Sequence, residues 1–199
     1  LRIFTEAELG SVPVKGPFSR YLGVYETSLL VALLNSVAPK VMIEFGCNAG
    51  ITAARVLENV LTIERYIGVD LPPDDKQTVL DCQRPEVPVN AGCYASHDPR
   101  FFLLAVRSQL LRTGHLEPCD AVFIDGDHSE QAVLHESRLA YRLMRGRGII
   151  VWHDYGNTSV EVDFALNRLI AEGWPINAVE KCWLAFMRVV KVEDNATPL

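Results

Sequence analysis

Short apolar runs that each end on a polar residue set the terms for this chain. "KVMIEFG", "RYIGVDL", "VNAGCYAS", "CDAVFIDG" and "GIIVWHDYG" read as strands. Between them lie segments with apolar residues at helical spacing, such as "ITAARVLENVL" and "SEQAVLHESRLAYRLMRG". Strands alternating with helices specify a parallel sheet covered on both faces, because each parallel crossover needs a connection that a helix supplies. "INAVEKCWLAFMRVVKV" then offers two strands with a break near Lys181 and no helix between, so these are expected to pair antiparallel. The expectation is an α/β, doubly wound, mostly parallel sheet of seven strands closed by a C-terminal antiparallel hairpin.

Other elements are legible with less contrast. "VYETSLLVALLNSVA" reads as a helix that stops at Pro39, and "SVEVDFALNRLIAEG" as another. "DPRFFLLAVRSQLLRT" reads as a helix with Asp98 as N-cap and Pro99 in its first turn. Ser129 is a candidate cap for the helix that Gly146 would end. "PDDKQTVLDCQRPEVP" is read as a short helix followed by a loop, and residues 1–23 as an irregular lead-in that folds over an acceptor site.

A chain of 199 residues suits one domain, 1–199. Its net charge of −6 disfavours polynucleotides and anionic membrane surfaces as partners. The arginines at 138, 142, 145 and 147 lie near a helix C-terminus, where cations complement the helix dipole. The five cysteines are scattered, without a C-x-x-C, which fits a reducing cytoplasm rather than a disulfide scaffold or zinc site. No apolar run approaches the ~20 residues of a membrane span, and no signal peptide is visible. The chain begins at Leu1 without Met, which leaves its native start open.

Ligands on sheets of this kind bind beyond the C-terminal strand ends, where the strand order reverses. Those ends carry Glu44 and Gly46, Asp70, Ser96, Asp125, and His153 with Asp154. A dinucleotide turn would read G-x-G-x-x-G; this one reads E-F-G-C-N-A-G, with Asn48 where the close-approach glycine would stand. Asp70 ends the second strand, twenty positions past Gly50, where a carboxylate can accept both ribose hydroxyls of an adenosine cofactor.

Together these segments resemble the class I S-adenosylmethionine-dependent methyltransferases, in particular the catechol and caffeoyl-CoA O-methyltransferase-like group and its bacterial small-molecule relatives. The resemblance runs from about Val24 to Val192 and rests on "IEFGCNAGITA", "YIGVDL", "YASHDPRFF", "CDAVFIDGDHS" and "GIIVWHDYG". It implies a Rossmann-like fold and S-adenosylmethionine as cofactor. Asp70 would then bind ribose, and Ser96 with His97 would flank adenine. Glu44, Gly46, Cys47, Asn48 and Gly50, with Asp125 beside them, would shape the pocket for the methionine part. A carboxylate-rimmed site suits the cationic sulfonium and ammonium groups.

Methyl transfer to a hydroxyl needs alignment of donor and acceptor and removal of a proton, by a base, a metal ion, or both. The resemblance places Asp125 and Asp154 at two metal positions suited to Mg²⁺. The third position, an Asn in that group, is Tyr155 here, with Asp127, Asn157 or water as substitutes. Without a metal, Asp125 would anchor the cofactor end and Asp154 would cap the following loop. His128 stands where a catalytic Lys is common in the group and is the first candidate base; His153 is the second. Neighbouring strand residues face opposite ways, so His153 and Asp154 are expected to share a pocket only if the strand has already ended. Trp152 reads as core.

The implied activity is O-methylation of a small hydroxylated molecule. An NAD-dependent oxidoreductase and a non-catalytic binding protein of the same fold are the competing readings. A nucleic-acid amino-methylating enzyme is disfavoured, because "DGDH" stands where an N/D-P-P-Y/F segment would be. The apolar helix "VYETSLLVALL" is expected to pack on the sheet or form a homodimer face.

Overall fold

The computed structural model describes residues 1–16, 18, 21–72, 75 and 90–190. Its central strands are β2 (Val41–Phe45), β3 (Arg65–Asp70), β5 (Cys119–Ile124) and β6 (Met144–Trp152). To these are added β1 (Arg2–Phe4), β4 (Phe101–Ala105), β7 (Asn177–Val179) and β8 (Ala185–Val190). They form one eight-stranded sheet in the order β1-β7-β8-β6-β5-β2-β3-β4. β8 pairs antiparallel with both β6 and β7, whereas the other neighbours pair parallel.

The two-residue period of the strands sorts side chains onto two faces. Ile43, Phe45, Val122, Ile124, Ile150 and Trp152 face α4 (Glu130–Leu143) and α5 (Val162–Ala171). Met42, Ala121, Phe123, Ile149 and Val151 face α2 (Val24–Asn35) and α3 (Ile51–Asn59). Leu29, Leu30, Val31, Leu33 and Leu34 of α2 are buried in that second layer, so its apolar face is used within this chain. No helix among the described residues is long and apolar enough to cross a membrane.

Three expectations change. First, residues 90–96 of "VNAGCYAS" form turns, and the third of the expected strands is β4, inside the expected helix "DPRFFLLAVRSQLLRT". Asp98 and Pro99 imitate a helix start, but the Asp98 carboxylate accepts from the Arg100 backbone N–H and guanidinium instead. The run Phe101–Ala105 lacks a helical period strong enough to resist pairing with β3, register Tyr66↔Phe101. Second, the lead-in is not wholly irregular. β1 pairs with β7 as an eighth strand, and α1 (Glu6–Leu9) starts where the Glu8 carboxylate accepts from the Thr5 N–H and hydroxyl. Third, α4 ends at Leu143 and the chain turns extended at Met144, so Gly146 lies within β6. The stretch 73–88 falls outside the described residues apart from Asp75.

Ser129 does cap α4, its hydroxyl accepting from the Ala132 N–H at 3.4 Å. Of the turns, Gly46 is the most constrained: its φ is +83°, and a Cβ there would lie 2.2 Å from the Asp125 carbonyl oxygen. Gly46→Ala is therefore expected to cost more than ~2 kcal/mol, since it adds positive-φ strain to a backbone clash. Chemical denaturation should show a lower midpoint; an unchanged midpoint would contradict this packing.

Candidate active site

The loop after β2 is held by its neighbours rather than by itself. Gly46 N–H donates to Val69 O at 2.8 Å, and Asn48 N–H to Asp70 Oδ2 at 2.6 Å. The other Asp70 oxygen accepts from Leu71 N–H at 2.7 Å. Burial raises the Asp70 carboxyl pKa, and these donors oppose the rise. Each carboxylate oxygen has further acceptor capacity, so Asp70 can hold the loop and still receive a ligand hydroxyl. Asn48 sits at φ 46° with its Oδ1 accepting from Ala49 N–H at 2.6 Å, a local bond that makes the left-handed turn tolerable. Gly50, at φ +82°, opens α3 against Gly92.

The turn at 90–96 rests on this loop through Gly92 N–H to Asn48 O (2.7 Å) and Tyr94 N–H to Ala49 O (2.9 Å). Ser96 and His97 are exposed at its end, the Ser96 hydroxyl donating to Cys93 O. Cys47 is buried, which pushes its thiol pKa up. Glu44 lies deeper than its place in the motif suggests. It is 1% exposed, accepts from the Tyr66 hydroxyl at 2.9 Å, and is pushed up to about 8, chiefly by burial. It underlies the loop rather than lining its surface.

A second group gathers at the ends of β5 and β6. His128 Nε2 lies 2.9 Å from Asp154 Oδ2 and 3.4 Å from Asp125 Oδ1. His153 Nδ1 lies 3.1 Å and 3.2 Å from the same two oxygens, and its Nε2 is 3.4 Å from Glu26 Oε2. His153 and Asp154 share the pocket because β6 has ended at Trp152 and the chain turns at Asp154, φ 62°. Asn157 Nδ2 donates to Asp154 Oδ1 at 2.6 Å and fixes that turn.

Opposite charges dominate the titration here. Burial alone would lower both imidazoles, but the carboxylates raise His128 to about 10 and His153 to about 12. Burial would likewise raise Asp125 and Asp154, yet the two histidines hold both below the usual carboxylate range.

Asp125, His128 and Asp154 place one donor atom each within 4.8 Å of the others, a spacing that fits a single ion. Asp127 is not in that group: its oxygens accept from Gln109 Nε2 and Ser129 N–H. Tyr155 packs on the core, and Asn157 supports Asp154 instead. Trp152 is core, donating from Nε1 to Ser137 Oγ at 2.9 Å.

Glu26, Trp183 and Glu136 went unread in the sequence. An acid in the first turn of a helix reads simply as dipole compensation. Glu136 is 1% exposed on α4; Ser108 hydroxyl donates to Oε1, and Oε2 has no partner among the described residues.

The family model described as "Methyltransferase domain" matches residues 43–155, the span from β2 to just past Asp154. The chain belongs to that family. It is an S-adenosylmethionine-dependent methyltransferase with the Rossmann-like sheet of its class, and nothing supports the oxidoreductase reading. It is similar to the SAH-bound methyltransferase PaMTH1 of Podospora anserina, at 12% identity and TM-score 0.64, over 85% of this chain and 80% of that one. The O-methyltransferase NovP is similar at 11% identity and TM-score 0.61, over 84% and 81%. The SAM-bound O-methyltransferase TomG of Streptomyces achromogenes, involved in tomaymycin synthesis, is similar at 14% identity and TM-score 0.57, over 85% and 81%. At these identities the likeness is one of fold. Comparison with curated proteins gave no match.

Burial pushes Glu136 up to about 8 from an ordinary 4.5, so its neutral form is the stable one in the fold. That contribution is full below about pH 4.5 and is lost as pH rises through about 8. Glu136→Gln should therefore gain on the parent protein as pH rises from 5 to 8, by the order of a few kcal/mol. Thermal melts across that range check it; a pH-independent difference would contradict the assignment.

Proposed function

We propose that this methyltransferase transfers the methyl group of S-adenosylmethionine to a hydroxyl oxygen of a small molecule, with His128 receiving the hydroxyl proton. The observation that carries the reading is the juxtaposition of two groups at one sheet edge. The Gly46–Gly50 loop with Asp70 lies beside the Asp125/His128/His153/Asp154 cluster. The Gly46–Gly50 loop, Asp70 and the 90–96 turn suit the donor, with Asp70 on ribose, Ser96 and His97 at adenine, and Gly46 to Gly50 around the methionine part. The second group suits an acceptor that must lose a proton. O-methyltransferases among the similar structures favour oxygen as the acceptor atom.

The donor's sulfonium is a good leaving group, so the residues chiefly align carbon and oxygen. Asp125 and Asp154 hold His128 by two contacts and fix its ring. The same contacts keep it protonated at neutral pH, with roughly one molecule in a thousand carrying the free base at pH 7. Asp125 and Asp154 would hold a divalent ion such as Mg²⁺ through their oxygens, which would supply Lewis acidity that lowers the acceptor hydroxyl's pKa, with the protonated His128 outside its ligand set. His153 is a fixed cation behind both acids. Among the described residues, Cys47, Cys93 and Cys182 are thiols outside any disulfide, which fits a cytoplasmic enzyme.

Calorimetric titration with S-adenosylmethionine, S-adenosylhomocysteine and NAD tests the donor, and a mass-spectrometric screen for methylated hydroxyl compounds tests the acceptor. Binding of NAD alone would overturn the reading. Asp70→Ala is expected to weaken S-adenosylhomocysteine at least about tenfold, through lost ribose and loop contacts. Equal affinity would remove Asp70 from the site.

With the acceptor found, the rate should climb close to tenfold per pH unit above neutrality and level off towards about pH 10, as His128 loses its proton. His128→Gln should abolish that limb while leaving S-adenosylhomocysteine affinity unchanged. Persistence of the limb in the variant would assign the base elsewhere.

A further inference from the structure

Glu136 lies on the buried side of α4, 1% exposed, and the chemistry above makes no use of it. A buried carboxyl costs stability unless its oxygens are satisfied. Here Oε1 accepts from the Ser108 hydroxyl, while Oε2 has no partner among the described residues. An apolar pair at these two positions would pack as well without that cost, so the acid calls for a reason beyond packing.

Its partner Ser108 opens a 3₁₀ turn, Ser108–Leu110, in the segment that leaves β4. Four successive residues of that segment are tied down. Val106 N–H donates to Asp70 O at 2.8 Å, and Arg107 pairs with Asp75. Ser108 reaches Glu136, and Gln109 Nε2 donates to Asp127 Oδ2 at 2.9 Å. In the sheet order β5-β2-β3-β4, β2 separates the strand ends that carry Asp70 and Asp125. Those ends are two strand spacings apart, roughly 10 Å, a gap that four extended residues can bridge. Residues 106–109 therefore cross beyond the end of β2, with Val106 and Leu111 packed on the α4–α5 side. The Gly46–Gly50 loop leaves the same strand end for α3, on the other side. The two segments flank the place proposed above for the donor.

Resting on the donor reading above, we propose that Glu136 is a positioning residue for S-adenosylmethionine: through the Ser108 hydroxyl it fixes residues 106–109 against the donor, and loss of its proton releases them. The neutral acid suits its surroundings. Burial is the largest influence on it, Asp127 and Asp125 of the β5–α4 loop add to the effect, and the Ser108 bond and His128 oppose it; the carboxyl is pushed up to about 8. Ionised, Glu136 would be a charge with one unpartnered oxygen between a helix and a sheet. Such a group draws in water or moves out, and Ser108 moves with it. Donor affinity is then full well below pH 8 and falls as pH rises through about 8, because only the protonated form holds the segment in place.

The test is calorimetric titration of S-adenosylhomocysteine into the parent protein, Glu136→Gln and Ser108→Ala, each at pH 6.5 and pH 8.5. The parent should bind about fourfold more weakly at pH 8.5, where roughly a quarter of the molecules keep the proton. Glu136→Gln, whose amide oxygen still accepts from Ser108, should show one affinity at both pH values. Ser108→Ala should bind at least about threefold more weakly than the parent at pH 6.5, where the acid is neutral. An acid with a merely structural role would shift the melting midpoint with pH and leave the donor's affinity unmoved. Equal parent affinity at the two pH values, a Glu136→Gln variant that weakens as the parent does, or a Ser108→Ala variant that binds like the parent would each overturn the proposal. Failure of the parent to bind at either pH would instead overturn the donor reading, and this proposal with it.

Discussion

At the centre of the sheet, the backbone of Gly46 passes so close to the carbonyl of Asp125 that no side chain fits between them. β2 and β5 are neighbours there, and their outgoing loops diverge to opposite sides. The missing Cβ lets one loop turn towards β3 and Asp70 while the other carries Asp125 towards His128. The proposed donor and acceptor sites thus share a wall made of backbone. The Asp125 N–H bond to Phe45 O, 2.9 Å, continues the sheet to the edge of that wall. Movement of one loop would displace the other, so the proposed alignment of donor and acceptor depends on this crossing.

Charge organises the proposed acceptor half. Three carboxylates and two imidazoles meet where water has limited access, and Asp125 and Asp154 favour the charged form of the two imidazoles while the imidazoles favour theirs. Removing one member leaves its partners buried and unbalanced, so the cluster is held as a unit. Asn157 and Glu26 fix it from outside, the first at Asp154 and the second at His153. The antiparallel turn of β8 then adds Trp183, a residue more than fifty positions from His128 in sequence, to the same rim.

Much of this was legible because the period of the side chains is local. Strands such as "VMIEF" and "AVFI" alternate between faces, and a glycine turn follows the first with a helix behind it. The polar strand ends Asp70, Asp125 and Asp154 were readable for the same reason. "FFLLA" was not, since a continuous apolar run has no period to distinguish strand from helix, and Asp98 with Pro99 supplied a false helix start. The sequence also left open whether His153 and Asp154 could act together. That depended on where β6 ends, a matter of one residue.

The alternation of strands and helices, the glycines at the β2 turn and the acids at strand ends were determined by the sequence itself, because each rests on spacing within about twenty residues. Tertiary structure decided the rest. β4 became a strand because the open edge of β3 offered hydrogen bonds to it. Glu44 withdrew to Tyr66 because its strand face points into the α2–α3 layer. The His128 pKa is pushed up because folding sets the Asp125 and Asp154 carboxylates against its ring. Glu26 and Trp183 met because an antiparallel strand and a helix N-terminus converge at one edge. Such contacts join residues far apart in the chain, and no local period records them.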